Sequence, residues 1–389
     1  MTAVDVAVVG SGLVGAAVAL GLARMNCRVA LIGAEPLLSS VPPPWDSRIY
    51  AISPGSRDLL ADLGIWSAMD PMRIQPVRAM EVFGNQGPVR LTFDAMEVGE
   101  ESLAYIMESS LMAAALSDAV RQHENIALHV PERPCGLVSD ERGGVGLLFD
   151  DRRLLQARLV VGADGAGSWV RQVSGIDARF HLYPQRAVVA NFEVTHGHGD
   201  IARQWFRHDG VLALLPLPGR RVSMVWSAEG GLDRELLQLP LEKLAERVEQ
   251  ASGGAVGALS VITPPRAFPL RRMDAAEYVR PGRVLVGDAA HTVHPLAGQG
   301  VNLGFRDVRQ LIRTLAGRAP STSVGDIALL RRYARARRGD VASMIAVTEG
   351  LQRLFSSRAP AAGFLRNAGL VLAGRLPGVR QQLARQALA

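Results

Sequence analysis

Cysteine is scarce: Cys27 and Cys135 are the two among 389 residues. Neither sits in a CxxC or a metal-ligand spacing, which argues against a disulfide framework and suits a reducing compartment. The eight histidines form no HxxxH or HExxH pair, so no metal site is expected. Long apolar runs are missing too. The longest, residues 13–23, is too short and too rich in glycine to span a bilayer. No basic segment precedes the opening MTAVDVAVVG, which looks like a strand entering a turn and not like a signal peptide. There are no repeats and no low-complexity segments. The expected location is the cytoplasm, with peripheral contact on the inner face of the membrane as the one extension.

What is present is enough apolar residue for two cores: 48% of the chain is hydrophobic and 21% charged. The net charge is +6 and nearly all the basic residues are arginine. Eleven of these lie in residues 331–389 against Asp340 and Glu349, so the basic surplus is concentrated there and the remainder is mildly acidic. No nucleic-acid recognition module accompanies that charge, and no nucleic-acid partner is expected.

The pattern centres on residues 283–304, RVLVGDAAHTVHPLAGQGVNLG. An apolar strand at 284–286 turns at Gly287 and Asp288, crosses a loop from Pro295 through Gly298 and Gln299 to Gly300, and restarts as a helix at Val301 and Asn302. A carboxylate can accept hydrogen bonds from sugar hydroxyls, glycines let backbone approach a flat ring, and a helix start offers unpaired N–H groups to an anion. At the other end, residues 4–9 form a strand followed by Gly10-Ser11-Gly12-Leu13-Val14-Gly15, a helix at 16–25 and a second strand at 28–32. This is a GxGxxG turn in a βαβ setting, suited to a dinucleotide pyrophosphate. The acidic residue that would close the second strand and bind a ribose is absent. Gly33 holds its place and Glu35 follows two residues later, the candidate for that contact. A third strand, 157–161, ends in a Gly-Ala-Asp-Gly turn carrying Asp164. Arg48, after a proline-rich loop, is the candidate phosphate partner.

Between these turns, residues 188–194, 203–206, 211–215 and 221–227 form strands without crossovers, and 77–82 with 89–93 form a hairpin. The expected architecture is α/β: a Rossmann-like, three-layer, glutathione-reductase-like domain built from residues 1–75, 100–175 and 280–330. An antiparallel-sheet substrate domain, 76–99 and 176–279, is inserted in it. Past Gly304 the pattern is helical to the end, with 331–389 as a C-terminal helical region.

These three turns in this order resemble the single-chain FAD-dependent aromatic hydroxylases. The run GDAAHTVHPLAGQGVNLGF, at residues 287–305, is similar to the family that hydroxylates polyprenylated rings in ubiquinone biosynthesis. Residues 48–53, 210–216, Val225-Trp226-Ser227 and Leu376-Pro377-Gly378 match it as well. Three positions depart from it: Gly33 in place of the ribose acid, Ser109-Ser110 in place of Asn-Arg, and Gly167 where Asn is common.

The resemblance implies FAD as cofactor and NAD(P)H as transient electron donor. O₂ would add at flavin C4a, and the hydroperoxide would deliver one oxygen to an electron-rich phenol. It implies that Gly10, Gly12, Leu13, Val14 and Gly15, with Arg48 nearby, hold the pyrophosphate. Asp164 would lie in a motif shared with the nicotinamide cofactor, Asp288 would bind the ribityl chain or pyrophosphate, and Pro295 to Gly300 would lie beside the isoalloxazine ring. The hydroperoxide must be kept dry, so the cavity floor is expected at residues 211–216, with Leu212, Leu214, Pro216 and Pro295 against a hydrophobic polyprenylphenol. No catalytic residue is assigned; His291 and His294 are candidates for a proton transfer. The arginine-rich C-terminal region could rest on anionic lipid or on a partner enzyme. The alternatives are an FAD monooxygenase acting on another apolar aromatic or alkene, and a non-catalytic flavoprotein subunit of a biosynthetic complex.

Overall fold

The structure is a computed structural model that describes residues 2–84, 90–139, 144–293 and 300–356. Its first sheet is built on parallel strands in the order Ile126–His129, Val29–Ile32, Thr2–Val9, Leu154–Gly162 and Arg283–Leu285. Val6 to Val8 and all of Val29–Ile32 are buried without alternation, as strands covered on both faces must be. The helix Leu13–Ala23 lies against the sheet and packs on helices Ser109–Gln122 and Gly300–Ala316. An antiparallel hairpin, Gly136–Ser139 with Val145–Leu148, pairs with the first half of Leu154–Gly162.

Register sets the site. Val9 stands opposite both Ile32 and Gly162, and Gly162 opposite Leu285. Four strands therefore end level: three run into the turns singled out above, and Val29–Ile32 runs into Gly33. Ligands of open α/β sheets bind in the crevice beyond such strand ends.

The second sheet runs His291–Thr292, Arg266–Ala275, Ala178–Val194, Arg221–Ala228, Gly210–Leu217, Ile201–Arg207, Ala79–Phe83 and Arg90–Asp94. Every pair on this path is antiparallel except Ile201–Arg207 with Ala79–Phe83. One face packs on helices Leu232–Gln238 and Leu241–Ala251, with Phe192, Leu212, Leu214, Met224, Trp226, Leu236 and Val248 in its core. Each such large side chain contributes about 1.5–3 kcal/mol by leaving water. A third, small sheet is formed by Ile49–Ile52, Ala104–Glu108 and Gln75–Val77.

Two sequence expectations change. The strand expected at 77–82 is interrupted at Arg78, whose N–H donates to Asp200 O at 2.9 Å; Gln75–Val77 joins the small sheet and Ala79–Phe83 the large one. The helical pattern past Gly304 also breaks. Helix Gly300–Ala316 ends, the chain passes so close to the Leu154–Gly162 strand that a side chain at Gly325 would overlap the Arg158 carbonyl, and helix Ile327–Ser356 begins. Asp326 caps the new start, accepting from the Leu329 N–H at 2.8 Å. No helix among the described residues is long and apolar enough to cross a membrane.

Candidate active site

A cleft of about 930 Å³ lies over the level strand ends. Its lining includes Gly10, Gly12, Leu13, Val14, Glu35, Arg48, Asp164, Asp288, Gly300 and Val301, contributed by segments far apart in the chain. Gly15 lies just beneath, where a side chain would overlap the Gly10 carbonyl; only glycine lets the helix sit this close to the turn. Helix Leu13–Ala23 opens at Gly12 with no side-chain cap and no acidic residue in its first turn, and a Cβ at Gly12 would meet nothing within 4 Å. Free N–H groups thus face open space large enough for a diphosphate. The donor set and the shape fit a dinucleotide.

The missing ribose acid has a local cause. A side chain at Gly33, just past the second strand, would collide with the Ser11 side chain and with Val130, so glycine fits here as long as Ser11 holds its place. Glu35 is displaced to the rim, where its side chain is 84% exposed and 3.8 Å from Arg133.

The two strand-end aspartates differ. Asp164 accepts from Ser168 Oγ and from the Val170 N–H at 3.0 Å, so both its oxygens organise its own loop. Asp288 sits deep in the cleft with its carboxylate left open toward the cavity. Burial pushes that carboxyl above its usual range, against the opposing pull of His291, Arg271 and Arg48. Openness at the carboxylate and enclosure around it are compatible: it is a group at the bottom of a narrow site.

Gly287, at φ +58°, is pinned from behind. Its N–H donates to Asp307 Oδ2 at 2.7 Å, the oxygen that also bonds His291 Nε2 at 2.7 Å, while Arg337 Nε holds Asp307 Oδ1. Burial pushes the Asp307 carboxyl up, but His291 and Arg337 outweigh it and hold the group below the usual carboxylate range. Tyr333 donates to Leu285 O at 3.0 Å and adds a second tie to the same strand. His291, a candidate for proton transfer, is thereby 2% exposed and lines neither cavity. Asn302 is structural as well, accepting from Ser53 N–H at 3.0 Å and donating to Ala51 O at 2.8 Å. His294, Pro295, Gly298 and Gln299 lie outside the described residues.

A second cavity, about 570 Å³ and largely apolar, opens beside the first. Val211, Ala213 and Leu215 line it together with Val189, Val225 and Phe268. The expected floor residues Leu212, Leu214 and Pro216 are a correction. They alternate to the opposite face of the strand and are buried; Leu212 and Leu214, 0% and 1% exposed, belong to the core against the helices. Arg48, Tyr50, Asp288 and Gly300 line both cavities, so the two meet there. Arg48 stands 5.9 Å from the Phe268 ring. Burial raises the Tyr50 phenol above its usual value, which keeps it protonated at neutral pH.

Sequence reasoning missed Asp307, Arg337 and Arg171. Asp307 left one signal, a carboxylate on the apolar face of a helix between Leu303 and Leu311. Arg171, 3% exposed, donates to Ala289 O at 3.0 Å and Ala166 O at 2.9 Å, joining the Asp164 and Asp288 turns. Among the described residues no group of three or more His, Cys, Asp or Glu could hold a metal ion.

Fold and site together define a dinucleotide-binding protein whose cleft opens onto an apolar cavity. Comparison with known proteins narrows the class. The model of the FAD binding domain family matches residues 3–348. The 3-demethoxyubiquinol 3-hydroxylase of Escherichia coli (strain K12) is 36% identical, over 99% of this chain and 98% of that one. The human mitochondrial ubiquinone biosynthesis monooxygenase COQ6 is 32% identical, over 98% of this chain and 92% of that one. In fold, the chain is similar to p-nitrophenol 4-monooxygenase PnpA from Pseudomonas putida DLL-E4, with a TM-score of 0.80 and 19% identity over 100% of this chain and 99% of that one. The chain belongs to the FAD-binding domain family and, within it, to the ubiquinone-biosynthesis hydroxylases.

Proposed function

We propose that this protein is an FAD- and NAD(P)H-dependent monooxygenase that places one oxygen from O₂ on the aromatic ring of a polyprenylated phenol on the way to ubiquinone. The observation that carries this is the junction at Arg48, Tyr50, Asp288 and Gly300, where a dinucleotide cleft meets an apolar cavity. FAD, when bound, supplies the transfer of electrons from NAD(P)H and the activation of O₂.

The chain's own residues do the rest. The Gly10 to Gly15 turn and the start of helix Leu13–Ala23 bind the diphosphate, and Arg48 adds a planar cation at the inner end. Asp288 would accept from hydroxyls of the cofactor's sugar chain, and Glu35, on the rim, would be the candidate for its ribose. Helix Gly300–Ala316 starts where the two cavities meet, and its N-terminal partial charge would favour negative charge on a cofactor ring held there. Val211, Ala213, Leu215, Val225 and Phe268 hold the phenol ring and keep water out. In this reading residues 1–75, 100–175 and 280–330 serve the cofactor and 76–99 with 176–279 serve the substrate.

The test is purified protein with FAD, NAD(P)H, O₂ and a short-chain prenylated phenol, together with the quinone precursors of cells lacking the protein. A hydroxylated product and an accumulated precursor short of one hydroxyl are expected. A yellow protein with neither would sink the proposal. The substrate's bilayer residence extends the reading to peripheral membrane contact through the C-terminal region. Deleting residues 357–389 should then reduce co-sedimentation with anionic vesicles, and unchanged co-sedimentation would remove that extension.

A further inference from the structure

Beside the apolar cavity the fold leaves two large apolar side chains in water. On strand Ala178–Val194, Leu182 is 72% exposed and Phe180 56%. Two residues apart, they share one face of the strand. Leu182 stands opposite Arg271 in register, and Arg271, Leu270 and Phe268 all line the cavity, so the pair sits at the cavity's rim. Phe268, 37% exposed, carries the apolar surface from the rim inward. Phe180 is held facing out, because the guanidinium of the buried Arg171 lies 5.6 Å from its ring. Residues 178–182 pair with strand Arg266–Ala275 on one side, while strand Arg221–Ala228 joins only from Arg186 onward. Their other side is an uncovered edge among the described residues. Exposed apolar residues scattered singly need no explanation, but a pair at the rim of a ligand cavity does.

The charge around this rim has one sign. Residues 178–187 and 266–273 contain Arg179, Arg186, Arg266, Arg271 and Arg272 and no Asp or Glu. Arg186 pairs with Asp233, while Arg179, Arg266 and Arg271 are exposed. Asp177 and Asp274 flank the segments, and Asp274 accepts from the Tyr278 hydroxyl at 3.1 Å. Apolar tips set among arginines complement an anionic bilayer, in which acyl chains lie just beneath phosphate headgroups.

Resting on the prenylated-phenol reading above, we propose that this rim is a membrane-docking face. Phe180 and Leu182 dip into the headgroup and acyl boundary of an anionic bilayer, Arg179 and Arg266 meet its phosphates, and the cavity opens onto the layer in which a prenylated substrate dissolves. The prenyl tail then passes from lipid into the cavity without its apolar surface entering water. Two apolar side chains and a few arginines bind weakly enough for the protein to leave the surface again. This face lies in the sheet that forms the cavity and is separate from the C-terminal region.

The experiment is co-sedimentation of the full-length, FAD-loaded protein with vesicles of phosphatidylcholine, alone or mixed with phosphatidylglycerol. Wild-type protein should bind the mixed vesicles more tightly than the neutral ones, and less as salt rises. The double variant Phe180→Ser/Leu182→Ser should bind about tenfold more weakly, and Arg179→Gln about fivefold. Met96→Ser removes an 87% exposed apolar side chain just past strand Arg90–Asp94, at the opposite edge of the sheet, and should bind as wild type does. The double variant should hydroxylate a short-chain phenol in solution at the wild-type rate and lose turnover of a long-chain one held in vesicles. Wild-type protein that does not bind anionic vesicles overturns the proposal, and so does a double variant that binds as wild type does or a Met96→Ser protein that is weakened equally. A wild-type dimer that the double variant splits, with vesicle binding unchanged, overturns it in favour of self-association. Wild-type protein that hydroxylates no prenylated phenol, short or long, overturns the reading beneath the proposal, and the proposal with it, whatever the vesicles show.

Discussion

Asp288 and Asp307 lie within one strand-turn-helix unit, and the protein uses them in opposite ways. Asp307 is wholly enclosed and bonded to the Gly287 N–H, His291 and Arg337. Asp288 stands over an open cleft, with a carboxyl pushed up by burial and pulled only at a distance by the cations around it. One carboxylate holds the turn in place so that the other can face a ligand. The same division recurs on strand Gly210–Leu217, where Leu214 is packed against the helices and Leu215 faces the cavity. What distinguishes a binding residue from a structural one here is whether the fold has already satisfied it.

The largest effect that follows is on Asp307. Asp307→Ala leaves Arg337 buried without its main partner and should cost about 3–5 kcal/mol of stability, measured by denaturant unfolding; a loss below 1 kcal/mol would dissolve the distinction. Leu214→Ala should cost about 2–5 kcal/mol, while Leu215→Ala should cost clearly less and instead weaken binding of the prenylated phenol. Equal stability losses at the two positions would mean that they do not divide the strand's faces as described. Asp288→Asn should leave the apoprotein as stable or more so, because it removes a carboxylate that burial disfavours. FAD affinity should fall about 10- to 100-fold, the range for a hydrogen bond to a charged group; titration of apoprotein with FAD checks this.

The pH dependence carries opposite signs. Asp307 has a depressed folded-state pKa, so its contribution is present above the ordinary carboxylate range and is lost as pH falls through the lower folded value. Asp288 has a raised one: its protonated form is favoured, a contribution fully present below the ordinary carboxylate value and lost as pH rises through the folded value. Stability measured across the acid range should therefore fall less steeply at low pH in Asp307→Asn than in wild type, and more steeply in Asp288→Asn. The smallest effect concerns the rim. Gly33→Asp should cost about 1–3 kcal/mol through overpacking against Ser11, and adding Ser11→Gly should recover much of it; no recovery would place the conflict elsewhere.

Much of this site was legible in the sequence because its signals are local. A strand and a glycine turn within ten residues announce themselves at Gly10 to Gly15, and the same with a carboxylate at Asp164 and at Asp288, and the level strand ends bring them together. The cavity wall was legible only as a segment. Residues 211–215 are all apolar, so the period of two that would assign Val211, Ala213 and Leu215 to the cavity is invisible, and nothing local separates them from Leu212, Leu214 and Pro216. Partners remote in sequence were also hidden: Asp307 acts through Gly287, twenty residues earlier, and Arg337, thirty later. The absence of the acid at Gly33 is visible in the sequence, but its cause is not: Ser11 occupies the space a side chain there would need.

The most direct test of the account is the fate of labelled oxygen. The FAD-loaded protein should be given NAD(P)H, ¹⁸O₂ and a prenylated phenol, and the product analysed by mass spectrometry. The account predicts one labelled oxygen on the aromatic ring, formed with oxidation of the nicotinamide. Nicotinamide oxidation that yields only peroxide, or a product whose new oxygen comes from water, would contradict it.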